Sequence, residues 1–128
     1  MTVKVLELAS IGIGGAIGSI LRYALSGWIL KFPIWGSFPG GTLVVNVLGC
    51  AAVGLLGGIS ESRAVFGPTT RLFILIGLLG GFTTFSTFSY ETLTLVRAGE
   101  TAKAALNAAA NLLLCLSCTW IGFGVGSR

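Results

Sequence analysis

The sequence predicts an all-α membrane protein with four transmembrane helices per subunit, the third broken near mid-membrane. Three observations carry that prediction. Hydrophobic residues make up 54% of the 128 and charged residues only 9%, with a mean hydropathy of +0.95, far from the roughly one quarter charged of a soluble domain. The uncharged runs cover 8–21 and 23–30, then 32–60, 72–90 and 104–127, lengths that suit spans of roughly 20 apolar residues each. Residues 80–88 read Gly-Gly-Phe-Thr-Thr-Phe-Ser-Thr-Phe in one of those runs. An unpaired hydroxyl in lipid is costly, so this stretch points to a wall that touches something polar, a permeation path.

Helix 1 is expected over residues 5–30, because the apolar pattern runs past Arg22 to Leu30. That run has no small-residue cleavage site, which favours a retained helix over a signal peptide. Phe32-Pro33 and Pro39-Gly40-Gly41 mark the next connection and place helix 2 at residues 40–59. Gly67-Pro68 precedes helix 3 at residues 72–90, and Ala98-Gly99 precedes helix 4 at residues 104–125. Gly80-Gly81 followed by β-branched Thr83 and Thr84 is a poor helical run, so the break in helix 3 is expected there. Twenty glycines, with Gly14 and Gly18, Gly15 and Ser19, and Gly54 and Gly58 four apart, predict close backbone packing. A single four-helix domain then covers residues 1–128.

Four spans put Lys4, Arg63, Arg71 and Arg128 on one side and Lys31, Arg97 and Lys103 on the other. Basic residues normally fix orientation, and a difference of one leaves it nearly unspecified. The expected consequence is insertion both ways round and an antiparallel dual-topology homodimer. The eight basic residues form no patch, so the net charge of +4 does not point to nucleic acid.

With no histidine and four acids near span ends (Glu7, Glu61, Glu91, Glu100), the chain lacks the parts for acid–base, nucleophilic or metal catalysis. Binding or conducting a solute suits the remaining groups better. Thr42 and Asn46 share a face of helix 2, continued by Gly49 and Cys50. Asn107 and Asn111 share a face of helix 4 with Cys115 and Cys118, and two polar tracks result, although an intramembrane Asn also serves as interhelical glue. The Cys115–Cys118 spacing has no second ligand pair, and all three cysteines read as small packing residues. In helix 3, freed carbonyl oxygens suit a hard cation, while Thr hydroxyls and the positive rims of Phe85 and Phe88 suit a small anion. Arg22 either draws anions toward a vestibule or anchors a hydrogen bond. Tyr90 and Glu91 close helix 3 at a mouth or at the membrane interface.

Gly15 through Arg22-Tyr23, the run from Gly41 to Gly49 containing Asn46, and Gly80-Gly81-Phe-Thr-Thr-Phe-Ser-Thr-Phe-Ser89 together resemble the Fluc (CrcB-type) fluoride-channel family over nearly the whole chain. The resemblance implies a passive fluoride-selective channel of the bacterial inner membrane, built as an antiparallel homodimer with two pores. Fluoride that entered as neutral HF and ionised in the cytoplasm would leave down its gradient. By motif position, Phe85 and Phe88 would be the pore phenylalanines and Asn46 an amide donor. Thr42, Ser86 and Thr87 would extend the lining, and Arg22 and Glu91 would stand at the vestibule. Backbone carbonyls of Gly80 and Thr83 would hold a central structural Na⁺. Helix 4 departs from the hydroxyl-rich tracks of the family, with Asn107, Asn111 and Cys115 in their place. An amide donates two hydrogen bonds, whereas a thiol is a weak donor.

The rival reading is a small dual-topology proton-coupled multidrug exporter, which needs a membrane-embedded carboxylate. Glu7 and Glu91 both fall at span ends, and Arg22 carries the wrong sign for cationic substrates. A non-transporting assembly subunit would leave the helix 3 motif without a purpose.

Overall fold

The computed structural model describes residues 4–128 and is helical throughout. We label α1 Val5–Ile29, α2 Gly40–Arg63, α3 residues 68–82, α4 Phe85–Arg97 and α5 Thr101–Gly126. A 3₁₀ turn at Pro33–Trp35 joins α1 to α2. Elements α3 and α4 together make one apolar segment, Pro68–Arg97, so four segments are long and apolar enough to cross a membrane.

Each span after the first is longer than the helix expected from the sequence. Charged ends continue the helix, since Lys, Arg and Glu reach water while their backbone stays helical. So α2 runs past Glu61 to Arg63, where Ala64 turns left-handed at φ 48°. The third span starts at Pro68, whose ring suits the first helical position, and ends at Arg97. Gly99 at φ 77° then allows the sharp turn into α5.

Two seams organise the fold, each between spans running in the same direction. In the first, α1 lies on α3. A Cβ on Gly14 would stand 2.6 Å from the Phe73 carbonyl oxygen, and one on Gly81 would stand 2.6 Å from the Gly15 carbonyl oxygen. Only hydrogen fits at these positions, which is the close approach that small residues allow in lipid. Across from α1, Leu72–Leu79 winds as a π-helix, a wide form that is rare at this length.

In the second seam, α2 and α5 pair at a constant offset. Asn46 meets Asn111, 65 residues later, and at the same offset Gly54 lies on the Thr119 backbone and Gly58 on the Phe123 backbone. Thr119 Oγ1 also donates to the Cys50 carbonyl at 3.2 Å. Outside the spans, Ser37 donates to Glu100 at 2.8 Å and Lys103 pairs with the same carboxylate, tying the α1–α2 connection to the start of α5. The hydrogen bond from Lys103, then that from Ser37, holds the Glu100 carboxyl below its ordinary range.

Candidate functional site

The third span breaks at Thr83 and Thr84, both extended, with φ/ψ of −83°/155° and −152°/119°. Within the run from Gly80 to Thr84 expected to break, the threonine end opens and the glycine pair does not. Both glycines lie in the helical turn Gly80–Phe82, and Gly81 packs against Gly15. The break falls where hydrogen bonding outside the helix is available. Thr84 caps α4, its Oγ1 accepting the Thr87 N–H at 3.2 Å.

Asn46 supplies the rest. Its Oδ1 accepts the Thr84 N–H at 2.8 Å, while its Nδ2 donates to the Thr84 carbonyl at 3.0 Å and to Asn111 Oδ1 at 3.1 Å. One buried amide therefore replaces both ladder bonds of an extended residue, with both its donor hydrogens used within the protein. Asn111 Nδ2 in turn donates to the Asn107 carbonyl and Oδ1, each at 3.0 Å. Asn107 Nδ2 donates to Thr92 Oγ1 at 2.9 Å, and Thr92 donates to the Phe88 carbonyl at 2.8 Å. The amide track is a relay tying the break and the following helix, α4, to α2 and α5.

Breaking the helix frees carbonyls. That of Gly81 accepts from Arg22 Nε at 3.1 Å and lies 3.5 Å from Ser19 Oγ, so Arg22 acts as a hydrogen-bond anchor at a helix C-terminus. The helical donor to the Gly80 carbonyl would be the Thr84 N–H, which Asn46 takes; the donor to the Thr83 carbonyl would be the Thr87 N–H, which Thr84 takes. Gly80 and Thr83 thus offer hard carbonyl oxygens, the donor type that fits Na⁺.

Two cavities meet the break. The larger, about 670 Å³, is bordered by Arg22, Lys31, Thr42, Thr84, Thr87 and Glu91 among others. Thr42 Oγ1 donates to Glu91 Oε1 at 2.8 Å, while Glu91 Oε2 is buried without a partner. Two cations against one carboxylate leave this space attractive to anions.

The smaller cavity, about 230 Å³, is lined by Asn46, Cys50, Thr83, Thr84, Phe85, Phe88, Asn111 and Cys115 with Leu112 and Leu116. The rings of Phe85 and Phe88 sit 5.2 Å apart at 61°, edge to face. Phe88 is buried at 7% exposure and Phe85 is 70% exposed. The structure thus gathers Asn46, Asn111, Cys115 and both phenyls at one cavity, and Arg22, Thr42, Thr87 and Glu91 at the other. Asn107 lines neither, and Ser86 is an exposed residue 3.3 Å from Thr84 Oγ1. Thr84, which borders both cavities, and Cys50 are placed by the sequence at the break and on the helix 2 polar face, but not among the expected pore residues. The Thr84-x-x-Thr87 spacing, an N-cap pattern, is the local signal for the first.

A broken apolar helix braced by buried amides, between a cavity bordered by two cations and a phenyl-lined one, marks a multi-pass membrane protein with polar space at a broken span. Residues 9–123 match the family model described as CrcB-like protein, Camphor Resistance (CrcB), and the chain belongs to that family. Similar proteins include the fluoride-specific ion channel FluC of Nitratidesulfovibrio vulgaris, 44% identical over 94% of this chain and 96% of that one. The FluC of Geobacter metallireducens is 45% identical over 91% and 94%, and FluC 1 of Methanosarcina acetivorans is 44% identical over 88% and 84%. These relatives are named as ion channels and not as enzymes.

Proposed function

We propose that this protein is a fluoride-selective passive channel that lets cytoplasmic fluoride leave a bacterial cell through the inner membrane. The observation that carries the reading is the convergence of Phe85, Phe88, Asn46 and Asn111 on one cavity beside a break in a membrane span. The relatives named as fluoride channels support it along most of the chain. Fluoride is small and strongly hydrated, so a pore must replace its water with closely placed donors and positive ring edges. Chloride gains less from the same geometry.

The working unit in this reading is an antiparallel dual-topology homodimer with two pores. Phe85 borders the cavity and is yet 70% exposed, which leaves a face of the ring for a second copy to cover. In the same dimer, the Gly80 and Thr83 carbonyls of both copies would hold a central Na⁺, which would neutralise oxygens that the break leaves without N–H donors. Arg22 and Lys31 would raise the local concentration of anions in the vestibule.

Proteoliposomes loaded with fluoride and read with a fluoride-selective electrode test the reading. We expect release on collapsing the opposing potential, and none of chloride under the same conditions. Absence of fluoride release would remove it. Proton-driven uptake of a cationic dye instead would support the exporter.

A further inference from the structure

The α2–α5 offset makes a second pairing that the sequence spacing hides. One turn beyond Asn46 is Cys50, and one turn beyond Asn111 is Cys115, so the register that joins the amides also sets these two cysteines opposite each other. Contacts one turn further on, between Gly54 and Thr119, keep that register, and the Thr119 hydrogen bond to the Cys50 carbonyl fixes the height of the two helices. All three cysteines carry free thiols, and Cys50 and Cys115 both line the 230 Å³ cavity with Asn46, Asn111 and the two phenyls. The cysteine pair that matters is therefore across helices, not the Cys115–Cys118 spacing along one.

We propose that Cys50 and Cys115 form a binding site for a soft, two-coordinate metal ion of the Ag(I), Cu(I) or Hg(II) class, and that occupancy blocks the conduction cavity. Thiolate sulfur selects such ions over hard ones, and two ligands complete their preferred linear coordination. The chemistry needs no oxidant: Hg²⁺ and two thiols give one S–Hg–S bridge and two protons, which leave to water. A disulfide would need an oxidant to take two electrons, and nothing in the cavity supplies one. A metal held there would stand one helical turn from the Asn46–Asn111 hydrogen bond, in the space that the phenyl rings face.

The block rests on the channel reading, whereas binding does not, and the experiment separates them. Purified protein is titrated with HgCl₂, following the ultraviolet thiolate-to-mercury band and proton release, then challenged with excess small monothiol. We expect one challenge-resistant Hg²⁺ per chain and two protons released. Cys50→Ser and Cys115→Ser, close in size to the native residues, should each abolish resistance, and Cys118→Ser should preserve it. Resistance that survives in Cys50→Ser, or is lost in Cys118→Ser, overturns the site. In proteoliposomes, HgCl₂ should reduce fluoride release at least tenfold in the unmodified protein, with recovery on adding a dithiol, and should leave release by Cys50→Ser within twofold of its own metal-free rate. Resistant binding without block overturns the placement in the conduction path. Absence of fluoride release before any metal is added would count against the channel reading alone, because the titration stands without flux.

Discussion

The two seams of the molecule are built alike and end differently. Along α1–α3, the space opposite Gly14, Gly77 and Gly81 is filled by backbone atoms of the facing helix. Along α2–α5 the Gly54 and Gly58 end is equally tight, but at Asn46 and Cys50 the same register brings side chains together. Glycine lets the backbones touch and closes a seam; amide and thiol hold it open by their own volume and offer hydrogen bonds instead. A cavity forms where residue size changes along one constant pairing. The closed seam holds the broken span in place, and the open end of the other seam determines what the break faces.

Substitutions at the closed seam have the largest expected effect. Gly14→Val sets a branched side chain against the Phe73 and Leu78 backbones, neither of which can move aside, and should cost more than about 3 kcal/mol. Gly12→Val two residues away meets open space. Size-exclusion profiles in detergent should show loss of the folded species for the first only; equal profiles would mean that the α1–α3 contact is looser than described.

At the open seam, Asn46→Leu keeps the volume and removes the brace. Each Thr84 backbone group left unpaired costs roughly 1–3 kcal/mol, so thermal unfolding should shift down and fluoride release should fall at least tenfold. Asn107→Leu lies further along the relay and should destabilise less. A larger loss at Asn107 would shift the centre of the brace toward α5.

Phe85→Ile and Phe88→Ile separate conduction from folding. The exposed Phe85 should cost little stability in detergent, whereas the buried Phe88 should cost about 1–2 kcal/mol. Fluoride release should stop in both while the size-exclusion profile is retained. Release at the original rate by either variant would remove that ring from the pore wall.

The smallest effect is expected outside both seams, at Glu100. Its carboxyl pKa is lowered in the folded protein, so the stability it contributes is fully present above the unfolded carboxylate pKa and is lost as pH falls through the lower folded value. Glu100→Gln should therefore lower the melting temperature slightly near neutral pH and leave it unchanged in strong acid. A difference that persists at low pH would show that the charge is not the cause.

Much of the architecture was legible in the sequence because hydropathy and span length are local properties. The four spans, the polar faces of Thr42 with Asn46 and of Asn107 with Asn111, and the existence of a break in the third span all follow from composition and periodicity. The glycine pairs correctly marked the seams. The Cys50–Cys115 register was not legible, because a pairing within one helix is visible in sequence and a pairing between helices is not.

The position of the break belongs to tertiary structure. A glycine in a helix costs only about 1 kcal/mol, and Gly81 stays helical where α1 comes close enough to need it. Thr84 leaves the helix because Asn46, 38 residues earlier, takes both its backbone groups. By itself, then, the sequence determined how many times the chain can cross a membrane and which faces carry polar groups, since both depend on residues close along the chain. Only the packed helices decided which carbonyls are freed, which amide braces the gap and which thiols meet, because each of those depends on a partner that the register of two distant helices supplies.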